Sequence, residues 1–144
     1  MPRPEGRGNS LDTDIFSEVL KGVDPQVVAR ATAYRAAFGY YTISAITVLE
    51  VVKGFHKLQR EDRLQEFLSK LPNIEVLTLD VRSSELAGRI YADLEKSGQG
   101  IGRADPIVAA IAFRHSLTLV TGNMAHYQRI QALGHALKLD NWRT

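Results

Sequence analysis

Three carboxylates stand apart in apolar or small-residue surroundings. They are Asp12 in Leu-Asp-Thr-Asp-Ile (11–15), Glu50 in Val-Leu-Glu-Val-Val (48–52) and Asp105 in Gly-Arg-Ala-Asp-Pro-Ile (102–107). They lie far apart in the chain, and each falls where a strand or loop gives way to a helix, or just inside one. In a parallel α/β sheet such junctions meet at one cleft beyond the C-terminal strand ends. Carboxylates gathered there repel unless a cation or a proton lies between them. The chemistry indicated is oxygen ligation of a hard divalent ion. Asp14 adds a further acid, and strand alternation would set it on the same side as Asp12.

Each residue also has a plainer reading. Asp12 or Thr13 can cap the helix that follows. Glu50 shares a helical stripe with Thr47, Lys53 and Lys57, where a solvated Glu–Lys pair stabilises by about 0.3–0.5 kcal/mol. Asp105 before Pro106 matches an N-cap with proline at the first helical position, a role compatible with ligation through the second oxygen. The turn from Thr121 through Asn123 to His126 offers hydroxyl and amide groups to a water, phosphate or metal shell, or is an ordinary Gly/Asn turn.

The elements that must position these residues alternate in type. The pattern predicts a first strand ending at residues 11–12, a short helix over 15–20 closed by Gly22, and a helix from Pro25, capped by Asp24, to about 37. A strand follows over 40–43. Ser44 then caps a long helix over 45–71, broken near Gly54. Further strands are expected over 75–79, 117–120 and 136–139, and helices over 81–96, 106–114 and 124–133. This alternation predicts an α/β fold with a mostly parallel central sheet flanked by helices on both faces.

At 144 residues, 44% of them hydrophobic, the chain is the size of one domain with a sizeable core. We expect a disordered tail over 1–9 and a single domain over 10–144. The tail has no apolar stretch of a signal peptide, and no apolar run approaches the roughly 20 residues needed to span a bilayer. A cytoplasmic protein with no membrane contact is expected. The absence of cysteine excludes a disulfide, a thiol nucleophile and a Cys-ligated zinc site. The histidines at 56, 115, 126 and 135 lack zinc-hydrolase spacing, and no G-x-S-x-G elbow is present. The glycine-rich stretch 98–102 lacks the Lys-Ser/Thr ending of a phosphate loop. A net charge of +2 fits nucleic-acid contact and equally an ordinary soluble surface.

Four segments in order carry a family resemblance: Leu-Asp-Thr-Asp-Ile (11–15), Ser-Ala-Ile-Thr-Val-Leu-Glu-Val-Val-Lys-Gly (44–54), Ile-Gly-Arg-Ala-Asp-Pro-Ile-Val-Ala-Ala-Ile-Ala (101–112) and Leu-Val-Thr-Gly-Asn-Met-Ala-His-Tyr-Gln-Arg-Ile (119–130). Together they resemble the PIN domain, and within it the VapC-type toxin ribonucleases of bacterial toxin–antitoxin pairs. The resemblance implies a PIN-like fold and a Mg²⁺- or Mn²⁺-dependent endoribonuclease, with tRNA a candidate substrate. It implies that Asp12, Glu50 and Asp105 are the metal-binding and catalytic acids. Asp14, Thr121 and Asn123 would support them, and His126 stands where many members carry a fourth acid. Lys53, Lys57 and Arg103 are candidates to hold the RNA backbone. The expected partners are a small antitoxin, whose tail would occupy the cleft, and a second copy of the chain in a homodimer. Apolar faces of the helices over 15–20 and 27–34 are the expected partner surface. Two other classes stay open. One is a binding module whose acids are caps and solvated charges. The other is a Mg²⁺-dependent phosphoacceptor domain, which wants a Lys at the end of its fifth strand.

Overall fold

Three consecutive short strands each lead into helices, and those junctions build the cleft. In this computed structural model, which describes residues 8–100 and 104–144, β1 (Asn9–Leu11) feeds α1 (Thr13–Lys21) and α2 (Pro25–Phe38). β2 (Thr42–Ser44) feeds α3 (Ala45–Lys57) and α4 (Glu61–Lys70). After a 3-10 turn, β3 (Glu75–Leu77) leads to α5 (Val81–Lys96) and α6 (Asp105–Arg114). β4 (Thr118–Val120), α7 (Met124–Ala132) and β5 (Lys138–Asp140) complete the chain.

All the strand pairings are parallel: β1 with β4, β4 with β5, and β2 with β3. β1 packs beside β2 without a hydrogen-bonded ladder, so the spatial order is β3-β2-β1-β4-β5 in two hydrogen-bonded pieces. Successive residues of a strand face opposite sides of the sheet. Accordingly Val120 enters a core with Leu11, Ile15, Phe16, Val27 and Ile43, whereas Leu119 enters one with Ile90, Ala110, Tyr127 and Ile130. Helices α1–α4 thus supply one face and α5–α7 the other. Each fully buried large apolar side chain stabilises by roughly 1.5–3 kcal/mol before entropy is counted.

Local chemistry sets the helix ends. Asp24 accepts from the backbone N–H groups of Gln26 and Val27, with Pro25 at the first helical position. Ser44 caps α3 through the Thr47 N–H. Gly22 and Gly39 close α1 and α2 in left-handed conformation, φ 66° and 87°, which glycine adopts without strain. No helix among the described residues is long and apolar enough to cross a membrane.

Several expectations are corrected. Asn9, assigned to the tail, is the first residue of β1 and pairs with Thr118. The long helix is broken at residues 58–60, where Gln59 takes a left-handed φ of 56°, and Gly54 stays helical. β2 and β3 are shorter than read, and β2 is shifted toward Ser44, which both ends the strand and caps α3 through its side chain. Ile15, Phe16, Val27, Ala31 and Tyr34 are buried in the core, so they are not an open partner surface. Residues 1–7 of the expected tail, part of the 98–102 stretch and Arg103 lie outside the described residues.

Candidate functional site

The end of β1 places Asp12 at the start of α1, as its N-cap. Its Oδ1 accepts from the Thr13 N–H at 2.9 Å, and its Oδ2 accepts from the Thr121 hydroxyl at 2.9 Å and the Tyr127 hydroxyl at 3.1 Å. The side chain is almost fully buried. Burial, and then the neighbouring Asp14 charge, push its carboxyl up from 3.8 to about 6 despite those three donors. Among the described residues, no cationic side chain is bonded to this buried carboxylate.

Asp105 arrives from the other face of the sheet. It is the first residue of α6, not the N-cap, which is Ala104. Its Oδ1 lies 3.2 Å from the Tyr127 hydroxyl and its Oδ2 lies 3.0 Å from His126 Nδ1. Tyr127 therefore stands between Asp12 and Asp105. Its phenol is held un-ionised by burial and by both carboxylates, which raise its pKa. His126 orients Asp105 if its Nδ1 carries the hydrogen.

Glu50 is on the exposed side of α3 and does not pair with Lys53 or Lys57, which are exposed. The Thr13 hydroxyl donates to its Oε1 at 2.6 Å and lies 3.0 Å from the Thr47 hydroxyl. Thr47 is wholly buried, so the supposed polar stripe is split between cleft and core.

The turn after β4 locks these pieces together. The Thr121 hydroxyl accepts from the Asn123 N–H, which fixes its own hydrogen on Asp12. The Gly122 N–H donates to Asp14 Oδ2 at 2.8 Å. Asp14 thus shares the site through helix geometry and this turn, not through strand alternation. The Asn123 side chain is exposed at the mouth.

The structure brings Asp12, Asp14, Asp105, Thr121 and His126 into one network and joins Glu50 to it through Thr13. Among the described residues, no three of the His, Asp and Glu side chains converge closely enough to enclose an ion unaided. Asp12 and Asp105 both contact the Tyr127 hydroxyl. Their oxygens, with neighbouring hydroxyls and, among the described residues, no basic side chain bonded to Asp12, are a donor set suited to a hard cation. The residues fit such an ion.

Three contributors escaped the sequence reading. Tyr127 looked like an ordinary aromatic on a buried helix face, and nothing in the local sequence reports where its hydroxyl goes. Thr13 was considered only as a cap. Arg143 comes from the C-terminal segment, 129 residues beyond Asp14, and sits 3.4 Å from Asp14 Oδ2 and 3.9 Å from Glu18. A Cβ at Gly122 would run into its guanidinium, so the bare turn is what admits it.

Comparison with known proteins places the chain in a family. Residues 10–131 match the family model described as PIN domain. The chain is 31% identical to Ribonuclease VapC2 of Haemophilus influenzae over 92% of its own length and 96% of that protein's. It is 29% identical to the tRNA(fMet)-specific endonuclease VapC of Shigella flexneri over the same shares. Among solved structures it is similar to the DNA-bound VapBC complex of Salmonella typhimurium, with a TM-score of 0.79 and 26% identity over 94% of this chain and 98% of that one. It is also similar to FitAcB of Neisseria gonorrhoeae, with a TM-score of 0.78 and 27% identity over 93% of this chain and 97% of that one. Fold and relatives agree, and the chain belongs to the PIN-domain family, among its VapC-type ribonucleases.

Proposed function

We propose that this protein is a divalent-cation-dependent endoribonuclease, the cytoplasmic toxin of a toxin–antitoxin pair, that hydrolyses RNA phosphodiester bonds. The observation that carries the reading is the buried Asp12 facing Asp105 across one tyrosine hydroxyl, with Glu50 tethered by Thr13 at the rim. Asp12, Asp105 and Glu50 would hold Mg²⁺ or Mn²⁺, with Asp14, Thr121, Asn123 and His126 in support. A bound ion of this kind supplies an acidified water and neutralises charge on the leaving oxygen.

The chain's own residues have distinct tasks. Asp12 is fixed by the Thr13 N–H and the Thr121 hydroxyl, so its oxygens are positioned before substrate arrives. His126 orients Asp105 from the rim. Glu50, being exposed, is the carboxylate best placed to take a proton from attacking water. Lys53 and Lys57 stand further along α3 from Glu50 and would hold backbone phosphates, as Arg103 would from the segment before α6.

A groove of about 290 Å³ begins at Glu50 and runs between α1, α3 and α4, lined by Leu20, Phe55, Leu58, Lys21 and Arg63. The structural relatives named VapBC support an antitoxin as partner; in this reading its tail would occupy the groove, and the toxin would be a homodimer in the complex. The tRNA(fMet) specificity in the Shigella relative's name makes that tRNA the first substrate to try.

The test is cleavage of a mixed tRNA and structured-RNA pool with Mn²⁺, with EDTA and Asp105→Asn as controls. Discrete products lost in both controls are expected. Undiminished cleavage by Asp105→Asn would overturn the site, and no cleavage together with no thermal shift on adding metal would favour a non-catalytic binding module.

A further inference from the structure

Tyr127 has an exposure of 0%, and its ring is packed in the α5–α7 core, yet its hydroxyl reaches the two acids of the site, 3.1 Å from Asp12 Oδ2 and 3.2 Å from Asp105 Oδ1. A phenol has one hydrogen. It cannot donate fully to two carboxylates at once, so both acids are drawn toward one hydroxyl that neutralises neither of them.

Asp12 has other anchors in the Thr13 N–H and the Thr121 hydroxyl. Among the described residues, the further side-chain partner of Asp105 is His126, at the half-exposed rim. Without the phenol, like-charge repulsion would act on two unequal partners, and Asp105 is the one free to turn away. An ion would then have to bring it back, at the expense of binding affinity.

Resting on the metal-dependent reading above, we infer that the Tyr127 hydroxyl is a positioning group that holds Asp105 toward Asp12 and so presets the pair for one divalent cation. The phenol is not a ligand and transfers no proton. Its contribution is to have made the approach of the two acids before the cation arrives.

Tyr127→Phe isolates the hydroxyl, because it keeps the buried ring. We expect it to fold with an unchanged circular-dichroism spectrum and to bind Mn²⁺ about tenfold more weakly by titration calorimetry, a loss of ~1.4 kcal/mol. RNA binding in EDTA should be unchanged. Mg²⁺ should also produce a tyrosine ultraviolet difference signal in the wild type, as the phenol's acceptors are engaged by the ion. Tyr91 also feels the Asp105 charge, so loss of the signal in Tyr127→Phe is what assigns it to Tyr127.

Equal Mn²⁺ affinity in the two proteins would overturn the role of Tyr127 and leave the metal site standing. No Mn²⁺ binding by the wild type would sink both readings. Should the variant fail to fold, Mn²⁺ binding by the wild type without any Mg²⁺-induced tyrosine signal would overturn the role by itself.

Discussion

Thr13 donates its hydroxyl hydrogen to Glu50 at 2.6 Å, across 37 residues of sequence. That bond ties the first turn of α1 to the middle of α3 and fixes the direction of an otherwise exposed carboxylate. Thr13→Val keeps the shape and removes the donor. We expect stability to fall by about 1 kcal/mol and half-maximal activation to require roughly tenfold more Mn²⁺, with Thr13→Ser restoring both. Ribonuclease activity against Mn²⁺ concentration reads this directly, and an unchanged curve for Thr13→Val would exclude a role for the tether.

Asp12 makes the metal-free protein pH-sensitive. Its folded-state carboxyl stands at about 6, against 3.8 ordinarily. Below the lower value both states are protonated and nothing is lost. Between the two, only the unfolded chain ionises freely, so stability falls as pH rises. Above the upper value the full cost is present, at most about 3 kcal/mol. Asp12→Asn avoids that cost, since the Thr121 and Tyr127 hydroxyls can turn to accept from its amide. In EDTA the variant should melt above the wild type at pH 8 and converge with it near pH 4. Added Mg²⁺ should raise Tm only for the wild type. A variant that melts lower at pH 8 would contradict the buried-charge account.

Arg143 is half-exposed beside Asp14, at the turn that also orients Asp12. It is positioned to meet a backbone phosphate of RNA entering the cleft. Arg143→Ala should weaken RNA binding severalfold and lower the magnitude of the log–log salt slope by about one. Filter binding in EDTA across a salt series measures both, and a slope equal to that of the wild type would remove Arg143 from the interface.

Trp142 is 2% exposed and packs against Tyr34, ring centroids 5.7 Å apart. Trp142→Ala should cost roughly 3–5 kcal/mol, read by chemical denaturation. It should also reduce cleavage more than its distance from Asp12 suggests, because the following residue is Arg143. A loss below about 1 kcal/mol would mean that the C-terminal segment is not docked as described.

Much of this architecture is written locally. Asp24-Pro25, Ser44 and Gly22 mark their helix ends because caps depend on adjacent residues alone. α5 was legible to the residue from the spacing of its apolar positions. The helix break was misplaced because Gly54 lowers helix propensity without breaking a hydrogen bond, whereas the reversal falls on Gln59, whose left-handed backbone no propensity announces. Asp12 and Asp105 were readable as isolated acids at helix starts, and Glu50 as a lone acid within an apolar helix. What joins them was not. The Thr13, Tyr127 and Arg143 contacts each depend on residues between 22 and 129 positions away, and side-chain direction over such spans is set by packing.

The break between β1 and β2 bears on how the site works. Asp12 and Thr121 belong to the three-stranded piece, and Glu50 follows from the two-stranded one. No main-chain ladder crosses between the pieces, so the contacts of Thr13 with Glu50 and Thr47 are polar stitches over a seam. An ion gripped from both sides would act as a rivet across that seam, added to the shared core of Leu11, Ile43 and Val120 beneath it.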